Sequence, residues 1–405
     1  MAHETLTWLN ADFTERVLRF AELDSTIHVT DIVSKPATAI GDNYASDLVR
    51  VVAEFTRKEG KTKVKEKKSL LFKFEPIAEG PRKQMIVDIQ IFDFEIFMMT
   101  NTLRKMNKLL GNRLSARAYY VKMERPMCLI LEDLAPLGFR MANRQLGLDM
   151  DHCKLAIQGL AKFHAASVAL CEKEPKQKDL YWKGMFHETS TQDVVKFFKI
   201  SCTSLANAME SWSQNGKRYA EKVKNFSEKM FERGFESMRR KDDEFNVINH
   251  GDAWTNNMMF RYDKNDKPID HIFVDFQISV YTSPAIDLLY FLNTSVNEEI
   301  SNNGTDSLVE EYQRTLVATM KQIGCKTQPP TLKEIQKHIS ERLVYGMISS
   351  MNTLPFALVA KKDAQSLDSL LENMGNYHHP GYNNPLFQRI LLKRLEKFEA
   401  AGLLD

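Results

Sequence analysis

HGDAWTNN, residues 250–257, follows the short apolar run Val247-Ile248. Taken alone, a Gly-Asp pair behind a strand is turn chemistry. The residues after it give it weight. Met258-Met259-Phe260-Arg261-Tyr262 and His271-Ile272-Phe273-Val274 read as strands, and Asp263-Lys264-Asn265-Asp266-Lys267-Pro268 reads as the turn joining them. If Tyr262 pairs with about Ile269, Asn257 falls opposite about Val274. The open end of the hairpin then brings Asn257 beside Asp275 of VDFQ (274–277), and Asp252 precedes the first strand at that same end. Three oxygen-bearing side chains converge with no cation among them. Such hard ligands suit Mg²⁺, which keeps waters and binds substrate phosphates.

The spacing matches phosphoryl transfer. In the protein-kinase pattern an Asp accepts the substrate hydroxyl, while an Asn five residues later and the Asp of an Asp-Phe pair bind Mg²⁺. Asp252 and Asn257 have that offset, and Asp275-Phe276 supplies the second metal carboxylate. Asp252 is therefore the candidate catalytic base, and Asn257 and Asp275 are the candidate metal ligands. Asn256 competes with Asn257, and the offset favours Asn257. The plain alternative for Asp252, an exposed turn aspartate, explains none of this spacing.

The remaining parts are sought upstream. Leu70-Leu71-Phe72-Lys73-Phe74 is apolar except for Lys73. A lysine buried there needs a carboxylate or a phosphate, so Lys73 is the candidate grip on nucleotide phosphates. The alternative is a lysine snorkelling at a strand end. Its partner is expected from the next helix; Glu95 is the first choice, with Asp88 and Asp93 in competition. The segment 40–46 lies where a phosphate-covering loop belongs, although it holds one glycine. Asn43, which tolerates left-handed backbone, and Ser46, with its hydroxyl, are its candidate contacts. Leu129 to Leu134 is placed as a hinge, where the backbone around Glu132 to Leu134 would meet adenine. ATP and Mg²⁺ are thus the expected cofactors.

Other polar residues read as structural. His250 packs and orients the aspartate, His164 is a satisfied core histidine, and Asp287 anchors the loop by hydrogen bonds. Trp254 either lines an acceptor pocket or braces the loop. His378-His379 lacks the neighbours of a metal site, and Met-rich runs are core filling.

Composition bounds the rest. Of 405 residues, 43% are hydrophobic and 10% aromatic, which suffices for a large core in two lobes. Lys plus Arg is 55 and Asp plus Glu is 53; a net +2 lacks the basic stripe of a nucleic-acid binder. The dense basic run from Lys58 to Lys68 reads as a solvated hairpin tip. Five cysteines without CxxC spacing argue against a disulfide framework or a zinc site and suit a reducing compartment. The N-terminus reads as an amphipathic helix (Leu6, Leu9, Phe13, Val17, Phe20), not a signal peptide, and no run reaches membrane-spanning length. A cytoplasmic location is expected; oligomeric state is left open.

Residues 26–134 are mostly strand, with Ile27 to Val29, a hairpin around the lysine-rich tip, one long helix from about Val87 to Leu110, and strands near Ala118 and Cys128. After residue 145 the chain is mainly helical. The exception is a compact β insert made of Phe245 to Ile248 and the hairpin. The fold class is α+β, with a β-rich lobe at 1–134 and a helical lobe at 135–405 that carries the catalytic hairpin at 245–276. Helices from about 150 to 245 and 285 to 375, holding Trp182, Trp212 and Phe291, are expected to wall an acceptor pocket.

GDNYAS (41–46), LEDL (131–134), HGDAWTNN, VDFQ and SPAIDLLYF (283–291) together make the chain resemble the ecdysteroid kinase-like proteins of arthropods. These are part of the wider group of aminoglycoside- and choline-kinase-type small-molecule kinases. The resemblance spans nearly the whole chain. It implies a protein-kinase-like bilobal fold and ATP-dependent phosphorylation of a small-molecule hydroxyl, on an ecdysteroid or a xenobiotic alcohol such as a dietary toxin. Gln277 departs from the protein-kinase Asp-Phe-Gly but agrees with this family, and it removes the backbone freedom of that glycine. One alternative is a pseudokinase that binds a hormone or lipid; retention of Lys73, Asp252, Asn257 and Asp275 speaks against it. A second is a protein kinase. The chain lacks its HRD loop, and Ser283-Pro284-Ala285 follows Asp275 too closely for an activation loop.

Overall fold

The computed structural model describes residues 6–38 and 43–404. Gly41 and the rest of 39–42, in the candidate phosphate loop, lie outside the described residues. Five antiparallel strands form one sheet in the order β1-β2-β3-β5-β4: β1 His28–Pro36, β2 Asp47–Glu59, β3 Thr62–Phe74, β4 Ala118–Lys122 and β5 Cys128–Glu132. Val49, Val51, Ala53 and Phe55 alternate inward along β2, the period of a half-buried strand. They pack with Phe72, Phe74 and Ile130 against Phe13, Val17 and Leu18 of the helix Ala11–Glu22. That helix starts at Asn10, whose side chain accepts from the Phe13 N–H.

The lysine-rich run is strand rather than a long tip. Glu59 pairs with Thr62, so only Gly60-Lys61 turn the chain. Lys63, Lys65 and Lys67 project outward from β3 by alternation, which keeps their charges in water while the strand continues. β1 also runs further than Ile27 to Val29, because it pairs along β2 as far as Pro36.

The single helix expected from Val87 to Leu110 is broken. One helix, Pro81–Asp88, starts at a proline, where its missing N–H costs nothing. Gln90 then adopts left-handed backbone, φ +57°. A second helical stretch runs from Ile91 through a π-helical segment, Met98–Thr102, to Leu110. Its Phe92, Ile96, Met99, Leu103 and Met106 are buried, so the apolar stripe survives the break.

The remainder is helical. The buried helix Met150–Lys173 packs along Thr305–Gln322 in one core. A second core gathers Gln192–Met209, Gln214–Ser227, Leu343–Asn352 and Pro385–Ala400. Two small sheets interrupt the helices. In one, β6 (Phe139–Met141), β8 (Met258–Tyr262) and β9 (Pro268–Phe273) lie in the order β6-β8-β9; in the other, β7 (Val247–Asn249) pairs with β10 (Val280–Thr282). Phe245 to Ile248 therefore does not extend the hairpin into one β insert. Gly251, at φ +86°, turns the chain out of β7, and a Cβ there would collide with the Ile278 carbonyl. The hairpin register is as expected at its base: Met258 pairs with Phe273, and the Val274 N–H donates to the Asn257 carbonyl at 3.0 Å. An irregularity at Arg261/Tyr262 shifts the tip, so Tyr262 meets Pro268 instead of Ile269. The class is α+β, with an antiparallel N-terminal sheet and a helical C-terminal part. The five cysteines are free, and among the described residues no helix is long and apolar enough to cross a membrane.

Candidate active site

The loop after β7 hangs from one buried carboxylate. Asp287, in the first turn of the helix Ala285–Thr294, accepts the His250 N–H at 2.7 Å and the Gly251 N–H at 2.9 Å. Its Oδ2 also lies 3.0 Å from His164 Nε2. Its charge is fully buried and is tolerated because three donors satisfy it. The carboxylate makes Nε2 the protonated nitrogen of His164, so Nδ1 accepts from Tyr312 Oη at 2.7 Å. His250 ties the loop to the segment Val274-Asp275-Phe276. Its Nε2 donates to the Val274 carbonyl at 3.0 Å, and its ring lies 4.5 Å from that of Phe276. Burial lowers its pKa, so it stays neutral and takes the Asp252 N–H on Nδ1 at 3.3 Å.

Asp252 projects from this loop with both oxygens occupied. Tyr290 Oη donates to Oδ1 at 2.5 Å, and Asn257 Nδ2 donates to Oδ2 at 2.7 Å and to the Asp252 carbonyl at 2.9 Å. Burial, helped by the charge of Asp275, pushes the Asp252 pKa up to about 7 against the pull of its two donors. Burial and the carboxylate hold Tyr290 well above its ordinary pKa, so it remains a donor. Tyr290 is a residue that sequence reasoning missed. Its signal was present in SPAIDLLYF, where it stands three positions after Asp287 and so shares a helix face with the loop anchor.

Across the cleft, Lys73 reaches from β3 to two carboxylates. Its Nζ lies 2.7 Å from Glu95 and 2.6 Å from Asp275 Oδ1. Glu95 is thereby distinguished from its competitors: Asp88 is exposed and accepts from Gln84, and Asp93 faces water. Gln277 Nε2 adds a donor to Glu95 at 3.2 Å. Burial opposes the charge on Lys73, but Asp275 and Glu95 outweigh it and raise its pKa. Two carboxylates share one ammonium, which leaves room for a further positive charge. Asp275 itself sits at φ +69°, a left-handed conformation that a non-glycine residue holds only under local constraint.

The donor chemistry here fits a hard divalent cation. Asn257 spends Nδ2 on Asp252, which turns its amide oxygen the other way, and Asp275 gives only Oδ1 to Lys73. Among the described residues no three His, Cys, Asp or Glu side chains group as a metal site. A cation here would rely on one amide oxygen and one carboxylate, with water or phosphate oxygens completing its shell.

Other expected contacts are placed differently from one another. Asn43 Nδ2 donates to the Ser46 carbonyl at 2.7 Å and to Ser46 Oγ at 2.9 Å, so these two close their own turn. Glu132 is held by Arg113 at 2.5 Å and Asp133 by Arg50 at 2.7 Å. Burial tends to raise Asp133, yet its donors Arg50, Ser69 and the Ala135 N–H keep it below the usual carboxylate range. Leu134 is buried with Phe139 and Ile272. The side chains of Glu132, Asp133 and Leu134 are thus committed to the fold.

A cleft of about 150 Å³ opens beside Asp252. Trp254 lines it along with Tyr44, Phe197, Phe198, Tyr290 and Phe356. The aromatics expected as its walls lie elsewhere: Trp182 is 48% exposed on the surface, Trp212 packs on Phe387, and Phe291 is fully buried in the helical core. Trp182 and Trp212 fall between helices, and Phe291 turns its face of the helix Ala285–Thr294 into the core.

The model of the Ecdysteroid kinase-like family matches residues 40–325. No curated protein matches the sequence. Among solved structures, an ethanolamine kinase of Plasmodium vivax is 12% identical, with 91% of this chain and 84% of that chain covered and a TM-score of 0.42. A spectinomycin phosphotransferase solved with ADP and spectinomycin is 11% identical, with 95% and 99% covered and the same TM-score of 0.42.

Proposed function

Because the chain belongs to the ecdysteroid kinase-like family, we propose that it is an ATP-dependent phosphotransferase acting on a hydroxyl of a small apolar molecule. An ecdysteroid or a xenobiotic alcohol is the proposed acceptor class, and the cytoplasm the proposed location. The observation that carries the reading is the approach of Lys73, Glu95 and Asp275 from distant parts of the chain, beside Asp252 and Asn257. In this reading the chain divides at 134/135, and ATP lies between the two parts.

Lys73, steadied by Glu95, holds the nucleotide phosphates. The backbone from Glu132 to Leu134 meets adenine, and the loop of Asn43 and Ser46 lies over the phosphates. Asn257 and Asp275 hold Mg²⁺, which when bound neutralises charge on the transferring group. Asp252 accepts the hydrogen bond of the acceptor hydroxyl and takes its proton late. Tyr290 and Asn257 keep its carboxylate oriented. Aromatic walls flank the acceptor beside Asp252, and positioning and electrostatics supply most of the rate.

Thermal-shift titration with Mg²⁺-ATP, followed by mass-spectrometric screening of steroid and phenolic alcohols for phosphate gain, tests the reading. Mg²⁺-ATP is expected to raise the melting temperature of the wild type and not that of Asp275→Ala. An equal shift in both would sink the metal assignment. A shift without transfer to any alcohol would favour the pseudokinase that only binds its ligand.

A further inference from the structure

A second cavity adjoins the cleft at Asp252. It also measures about 150 Å³, a size that takes one benzene ring in an apolar protein interior. Ile89, Ile91 and Phe94 wall it from the Glu95 side, and Val194 walls it from the helix Gln192–Met209. Met185, Phe197 and Phe198 line both this chamber and the Asp252 cleft. The two spaces therefore share one wall. All three of its side chains are half-buried, and methionine adapts readily to a new shape.

The chamber offers little to a cationic ligand. Among the described residues no carboxylate lines it. Burial brings His187 down to about 4, so its imidazole is neutral. Lys183 is the chamber's charged margin; its ammonium donates to the Gln90 amide oxygen at 2.8 Å and lies 5.2 Å from the Phe94 ring centroid. Gln277 and Ser279 add to the polar margin; the Gln277 amide is the one that donates to Glu95, and the Ser279 hydroxyl donates to the His250 carbonyl.

We propose that the chamber receives the far, ring-sized apolar end of the acceptor, whose hydroxyl lies at Asp252, with Met185, Phe197 and Phe198 as the passage between them. The acceptor is thus an elongated apolar alcohol rather than a compact amino alcohol. This rests on the phosphotransferase reading for the hydroxyl end. The chamber itself is read by binding alone.

The test uses (4-fluorophenyl)methanol and longer ω-(4-fluorophenyl)alkanols with the full chain. Val194→Trp fills the chamber from a residue that does not line the Asp252 cleft, and Ile89→Phe does so from the opposite wall. In the wild type, kcat/KM for phosphorylation is expected to rise by about tenfold or more once the linker lets the ring reach the chamber. Either filled variant loses that gain and turns over the shortest alcohol as the wild type does. Persistence of the gain in both variants overturns the proposal, as does an equal loss on short and long alcohols with an unchanged melting temperature. If no alcohol is phosphorylated, the phosphotransferase reading fails on its own. Fluorine NMR then still decides: broadening of the long alcohol in the wild type and not in the filled variants supports the chamber, and no broadening in the wild type overturns it.

Discussion

Asp252 and Asp275 flank the same open end of one hairpin, in opposite surroundings. Asp275 meets an ammonium, Lys73, in a cluster that also holds Glu95. Among the described residues Asp252 meets neutral side-chain donors, Tyr290 and the Asn257 amide. Burial without a counter-charge lifts Asp252 to about 7, while the Lys73 cluster concentrates charge on the β3 side of the cleft. The difference teaches that neighbours, rather than residue type, divide the roles: one carboxylate is suited to holding cations and the other to receiving a proton.

The sharpest way to break this contrast is to neutralise each carboxylate in turn. Asp252→Asn is expected to lower turnover by about 10³-fold, within the range for a lost general base, and to leave the Kd for Mg²⁺-ATP unchanged. Asp275→Asn should instead weaken Mg²⁺-ATP binding. Calorimetry for binding and ADP release for turnover check both; the same profile in the two variants would erase the distinction.

A second, smaller effect is on stability in chelator. The folded-state pKa of Asp252 is about 7 against an ordinary 3.8, so between those values the native state binds the extra proton. This contribution is fully present below about pH 4 and is lost as pH rises through 7, at no more than about 1.4 kcal/mol per pH unit. Denaturant unfolding of wild type and Asp252→Asn across that window should differ by this slope. Parallel curves would show that Asp252 titrates normally.

The smallest effect is at Tyr290. Tyr290→Phe removes one hydrogen bond to Asp252, worth about 1 kcal/mol. Turnover should fall about fivefold at unchanged Mg²⁺-ATP affinity, with Asn257 still holding the other oxygen. A loss as large as that of Asp252→Asn would mean that Tyr290 itself touches the reacting atoms.

Much of the site's placement was legible because it rests on local rules. Period-two strands and a polar turn predicted that Asn257 would emerge beside Val274, and the Val274 N–H does bond to the Asn257 carbonyl. A lone lysine in an apolar strand predicted a buried ion pair, and Lys73 has one with Glu95. The departures come from longer-range choices. β7 pairs with β10 instead of joining the hairpin, because the turn at Gly251 redirects the chain. The helix from Val87 is interrupted at Gln90, although its apolar stripe continues.

By itself the sequence determined which chemistry-bearing residues exist, their offsets, and the α+β order of elements, because hydrophobic period and turn chemistry act over a few residues. Tertiary structure alone decided that Tyr290 caps Asp252 and that Phe197 and Phe198 rather than Trp182 or Trp212 face the cleft. These contacts join segments far apart in the chain, and which face of a helix meets which cavity is set by how whole elements pack, which no local pattern encodes.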